Sequence, residues 1–238
     1  MAKARSLPIW YGHDHADAYL LASALHLARA ATRPQTFPLP PPSVSATLYC
    51  AFAAEAYVNV ALIRVLGEDE YQPASRMPVR SKFYLATRLG LREEWFSSGE
   101  AILEALDELF TQRNRLVHAQ PEQTVMHPFS DPKAPDLHTD LGRVARWVSA
   151  TADAVSRLGR SHAELTEFDR VAGALAEHAS MLWGFDAERD GAKLDAVVRK
   201  LLRDLLREDY QDTMDDEELT NLLDGQDPDW DVRGVGDD

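Results

Sequence analysis

Residues Ser98–Pro121 read S-G-E-A-I-L-E-A-L-D-E-L-F-T-Q-R-N-R-L-V-H-A-Q-P. Ile102, Leu106, Leu109 or Phe110, and then Val117 recur at helical spacing, which predicts one amphipathic helix. Ser98 or Gly99 suits its start, and Glu100 and Glu104 suit the positive end of the helix dipole. Pro121 disfavours helical geometry at Gln120, so the helix should stop near residue 119. Stepping by four and three from Leu106 through Phe110 puts Arg113 on the inward stripe. Asn114 and His118 lie four apart on an adjacent face, His118 in the last turn, where exposed carbonyls favour the imidazolium form. An inward guanidinium is costly unless it meets a carboxylate or a phosphate.

Upstream, residues 43–66 predict a helix that is apolar nearly all round and should be the most buried element. Gly67 stands where a C-terminal cap belongs. One stripe of this helix runs Leu48, Phe52, Glu55, Asn59, Leu62, Leu66, so Glu55 and Asn59 interrupt an otherwise core-facing seam. A buried Glu55 needs a partner, and Arg113 is the natural one. The pair could be purely structural, or the carboxylate could orient Arg113 at the rim of a site. The spacing leaves open which of Glu55 and Asn59 faces the motif.

The remaining chain reads as further helices joined by loops. Residues 14–31 predict a helix capped by Asp14, followed by a stiff proline-rich connector, Arg33–Pro42. Residues 68–82 read as a loop with Arg76, Arg80 and Lys82, and a short helix follows to about Leu89, with Arg88 and Arg92 near its end. These bases, with Arg115, are candidates for tracking a phosphate backbone; a solvated surface is the plainer reading. Residues 121–138 form a proline-broken loop suited to a lid or substrate guide. Helices are expected at 139–158, 161–182 and 191–207. The middle of the first carries Val144, Val148, Ala152 and Val155. No segment alternates like a strand, so the fold class is all-α.

Charge needs to be divided before it is interpreted. The 238-residue chain carries a net charge of −14. Residues 208–238 hold 13 acids against Arg233 alone, which leaves 26 acids and 24 bases in residues 1–207. The organisation is therefore a nearly neutral helical domain, 1–207, and an acidic tail, 208–238. The tail is expected to be solvating, or to bind basic surface in competition with RNA. The single cysteine, Cys50, allows no internal disulfide. No signal peptide is recognised, and Glu55, Asn59 and Arg64 break the most apolar segment, so no membrane span is expected and the location should be cytoplasmic. No G-x-S-x-G, G-x-x-x-x-G-K-[ST] or C-x-x-C motif occurs. His13-Asp14-His15 has no matching second cluster, so neither metal nor cofactor is expected.

The run Arg113-Asn114-Arg115-Leu116-Val117-His118 resembles the signature of the HEPN family. That signature is an arginine and a histidine separated by four to six residues, often with a polar residue directly after the arginine. The resemblance covers about residues 43–120. It implies a HEPN-type helical bundle, here with additional C-terminal helices and the acidic tail. It also implies a homodimer in which two motifs meet at the interface. Many members are metal-independent endoribonucleases, acting as toxins or antiviral effectors. By that resemblance His118 is general base or acid, Arg113 stabilises the phosphate charge, Asn114 positions the imidazole or the phosphate, and Glu55 and Asn59 support Arg113. Arg113 and His118 are about 140° apart around a helix, so one copy barely converges on one phosphate and a second copy can complete the site. The implied partners are RNA, a second copy, and a cognate antitoxin or regulatory protein. The family's non-catalytic members imply the alternative, an RNA- or protein-binding scaffold.

Overall fold

The computed structural model describes residues 13–32, 42–90, 95–117, 140–161 and 163–210. Among these, regular structure is entirely helical: α1 (His13–Thr32), α2 (Pro42–Leu66), α3 (Glu68–Ala74), α4 (Val79–Gly90), α5 (Trp95–Val117), α6 (Leu141–Ser161), a 3-10 segment (Ala163–Asp169), α7 (Val171–Ala176), α8 (Ala179–Trp183) and α9 (Ala187–Tyr210). The fold class is all-α, as the sequence predicts. The chain divides within α9 into two compact units, residues 1–195 and 196–238, and every site residue belongs to the first.

Helix α6 is the hub of the first unit, packed on α1, α2, α4, α5, α7, α8 and the 3-10 segment. Val144, Val148, Ala152 and Val155 are fully buried on its apolar face, joined by Trp147 and Leu158. It is more enclosed than α2, which the sequence marked as the most buried element. Helices α1 and α2 pack antiparallel, and their buried residues include many small side chains, Ala24 and Ala28 in α1 and Ala46, Cys50, Ala53, Ala54 and Ala61 in α2. Ser23 Oγ donates to the Ala46 carbonyl at 2.7 Å across this interface. The buried part of α2 is thus rich in alanine, which lets neighbouring backbones approach closely. Of the expected stripe, Leu62 is fully buried, Leu48, Glu55, Asn59 and Leu66 are half-buried, and Phe52 is exposed. Among the described residues α2 alone is long and apolar enough to cross a membrane, and more than half of that apolar window is buried against the rest of the chain.

Gly67 closes α2 at φ +82°, its N–H donating to the Ile63 carbonyl at 2.8 Å. Only glycine takes that conformation without strain. Residues 68–82 are not the loop expected of them: α3 begins directly after Gly67, and α4 takes up the end of the stretch. Glu68, Asp69 and Glu70 suit the positive first turn of α3. Pro78 precedes α4 where its missing N–H is no loss, and its carbonyl accepts the Lys82 N–H at 3.0 Å. Residues 161–182 are likewise not one helix. Leu165 leaves helical geometry (φ −122°, ψ 15°) while fully buried. Gly159 of α6 lies so close that a Cβ there would sit 3.0 Å from the Leu165 carbonyl oxygen. Packing on α6 overrides local helix preference.

Candidate functional site

Helix α5 begins at Trp95, three residues before the expected start; Ser98 and Gly99 are tolerated inside it at about 1 kcal/mol or less each. Ile102, Ala105, Leu106 and Leu109 are buried. Core contact ends there. In the last two turns Phe110, Arg113 and Leu116 are half-buried and Asn114 and Arg115 exposed. Val117, expected on the inward stripe, is 49% exposed, because these turns pass beyond the core that Leu109 closes. Arg113 Nη1 donates to Asn114 Oδ1 at 3.0 Å. Its Nε is buried without a hydrogen-bond partner, and among the described residues no carboxylate pairs with it. His118 lies outside the described residues.

Glu55 and Asn59 do not meet Arg113. They face α4, where Lys82 Nζ donates to Asn59 Oδ1 at 2.9 Å. Lys82 is only 2% exposed, so it is no surface contact for phosphate. It shares the inward stripe of α4 with Val79, Phe83 and Ala86. Burial pushes its amine below the ordinary lysine value, opposed by the nearby Glu55 charge. Burial, and then the same carboxylate, pushes the Tyr71 phenol up. The expected Glu55–Arg113 pair is therefore replaced by a Glu55–Asn59–Lys82 group between α2 and α4.

The other predicted bases divide. Arg76 and Arg115 are exposed. Arg80 forms an ion pair with Asp107, tying α4 to the motif helix. Two features went unread in the sequence. Glu108 of α5 accepts from Trp147 Nε1 at 3.2 Å and pairs with Arg143 at 3.0 Å and Arg146 at 3.8 Å, all on α6. Arg88 lies over the Tyr84 ring, 5.2 Å from its centroid, and donates Nη2 to the Tyr84 hydroxyl at 2.8 Å. The i,i+4 spacing of that pair was the available signal.

Cys50 is buried against Thr151, Sγ to Oγ1 3.4 Å, and burial pushes its thiol up to about 12. A thiol so held is no nucleophile at neutral pH. Among the described residues no three His, Cys, Asp or Glu side chains group to hold a metal ion. What the fold and site define is an all-α bundle whose motif helix ends in a half-buried arginine that meets no carboxylate among the described residues. Set against protein-family models, curated proteins and solved structures, the chain matches none.

Proposed function

We propose that the protein is a HEPN-type, metal-independent endoribonuclease of the cytoplasm, working as a homodimer through its motif helices. The observation that carries this reading is Arg113. A guanidinium half-removed from water, with Nε unsatisfied and no carboxylate on it among the described residues, is completed by an anion. RNA phosphate supplies one in the planar, two-pronged geometry that arginine fits best. The exposed end of α5, with Val117 and Arg115 outward, suits the meeting of two copies.

In this reading the 2′-hydroxyl attacks the adjacent phosphorus, forming the O2′–P bond as the P–O5′ bond breaks. His118 takes the 2′-proton, and the imidazole of the second copy delivers one to the leaving 5′-oxygen. The products are a 2′,3′-cyclic phosphate and a 5′-hydroxyl. Arg113 stabilises the crowded phosphate charge, and Asn114, hydrogen-bonded to Arg113, fixes its orientation. Glu55 takes no part in holding Arg113. A toxin or antiviral role, with an antitoxin as regulator, belongs to the same proposal.

The second reading is a non-catalytic RNA- or protein-binding scaffold. It is favoured by the engagement of Glu55 and Asn59 with Lys82, which leaves Arg113 without the support the nuclease pattern implies. Incubating wild type and His118→Ala with total RNA and tRNA in excess EDTA separates the two. Cleavage by wild type alone supports the nuclease; silence from both folded proteins supports the scaffold.

A further inference from the structure

Helix α5 leaves the core at a turn that is tied to two neighbours at once. Asp107 forms an ion pair with Arg80 of α4. The next residue, Glu108, accepts from Trp147 Nε1 of α6 at 3.2 Å and pairs with Arg143 and Arg146 at 3.0 and 3.8 Å. Successive residues project about 100° apart around a helix, so the two carboxylates hold α5 from two directions. Together with the buried Leu109 they fix its roll about its own axis. Beyond Leu109, residues 110–117 carry the helix on for about 12 Å. Among the described residues, the one side-chain hydrogen bond in that stretch is Arg113 to Asn114, within the helix itself, and no ion pair ties the stretch to another element. A roll of about 10° moves a side-chain tip at the helix surface by about 1 Å. The setting of Arg113 is therefore decided at Asp107 and Glu108.

We propose that Asp107 and Glu108 form an ionic clamp that orients the Arg113-bearing end of α5, which makes both of them positioning residues and makes the site responsive to ionic strength. That Arg113 meets RNA phosphate rests on the function proposed above; the clamp itself rests on the contacts. Holding the helix by charge at this turn has a physical consequence. Each carboxylate and guanidinium of the clamp is a third to a half exposed, so salt screens their attraction. The apolar burial of Ile102, Leu106 and Leu109 in the same helix is not screened. Salt therefore loosens the end of α5 while its core turns stay in place.

Hydrogen exchange of the full-length protein, read by mass spectrometry on peptides covering 110–117 and 98–108, tests the clamp without RNA. Glu108→Gln keeps an acceptor for Trp147 and removes the charge. Arg143→Gln with Arg146→Gln removes the charges from the other side and leaves the indole hydrogen bond alone. Each, and Asp107→Asn, should speed exchange in 110–117 about 2- to 5-fold, the range of an exposed ion pair. Exchange in 98–108 should stay at the parent level, with the melting temperature within about 4 °C. In the parent, raising NaCl from roughly 0.1 to 1 M shortens the screening length from about 10 to about 3 Å and should speed the same peptide; Glu108→Gln should blunt that response. Single-turnover RNA cleavage by Glu108→Gln should slow about 10-fold or more, within the about 100-fold that a 1 Å displacement can cost, with half-saturation near the parent. Parent-like exchange in 110–117 for all three variants overturns the proposal. So does loosening shared equally by 98–108, which would make these contacts ordinary stability, and so does parent-rate cleavage from a loosened end. A loosened end in variants of a parent that cleaves no RNA leaves the clamp standing and removes the nuclease, while cleavage with unmoved exchange does the reverse.

Discussion

Lys82 Nζ donates to Asn59 Oδ1 at 2.9 Å across the α4–α2 interface, from a lysine that is only 2% exposed. The two side chains offset each other's desolvation, and Glu55 adds a favourable charge. Lys82→Met leaves the Asn59 oxygen without its donor and should cost about 1–3 kcal/mol. Asn59→Leu should cost a similar amount. The double variant should lose less than the sum, by about 0.5–3 kcal/mol, in urea unfolding at neutral pH. Simple additivity would mean that the pair is not coupled.

Glu108 is the polar tie between α5 and α6. It gives the fully buried Trp147 its acceptor while holding Arg143 and Arg146 at the surface. Glu108→Ala orphans the indole N–H and should destabilise by about 1–3 kcal/mol. Glu108→Gln keeps an acceptor and loses only half-exposed ion pairs, worth about 1 kcal/mol or less. Equal losses from the two variants would show that charge, not the indole hydrogen bond, carries the tie.

Cys50 sets a pH dependence. Its thiol is raised from 9.0 to about 12 in the fold. Between those values the folded chain keeps a proton that the unfolded chain loses, so stability falls as pH rises through the window, by at most about 1.4 kcal/mol per unit. Burial also raises the Tyr57 phenol, whose hydroxyl donates to Asp17, and this adds to the loss above 10. Chemical unfolding from pH 8 to 11 should show the decline, and Cys50→Ala should make it shallower. The native thiol should stay unreactive towards a disulfide reagent at neutral pH until denaturant is added.

What could be read from the sequence divides along physical lines. Gly67 was legible because a positive φ falls to glycine, and α6 because Val144, Val148, Ala152 and Val155 mark one face. The buried alanines of α2 were not, since alanine carries little periodic signal and the bulkier Leu48 and Phe52 drew the stripe elsewhere. The broken stretch after Ser161 depends on the close approach of Gly159 to Leu165, which no local pattern encodes. At the site, the inward lean of Arg113 was legible from helical register. Its expected partner was not, because Lys82 stands 23 residues beyond Asn59 and reads as a surface base until α4 is placed against α2. The register held at Ile102, Leu106 and Leu109 and failed at Val117, which lies beyond the core.

In the proposed function Arg113 links activity to stability. Its guanidinium is half-buried, its Nε is unsatisfied, and Asn114 is the acceptor it has. A group kept for a phosphate weakens the fold when the phosphate is absent. Arg113→Met has similar reach and no unmet donors, so it should stabilise the chain by about 0.5–2 kcal/mol. RNA cleavage by the same variant should fall by about 100-fold or more, the loss expected on removing one oxyanion-stabilising donor. Arg113→Lys keeps the charge but not the planar fork, and should recover cleavage only in part. Thermal unfolding and single-turnover cleavage on one protein preparation read both effects together. A variant that unfolds more readily and still cleaves would make Arg113 a structural arginine and remove it from the site.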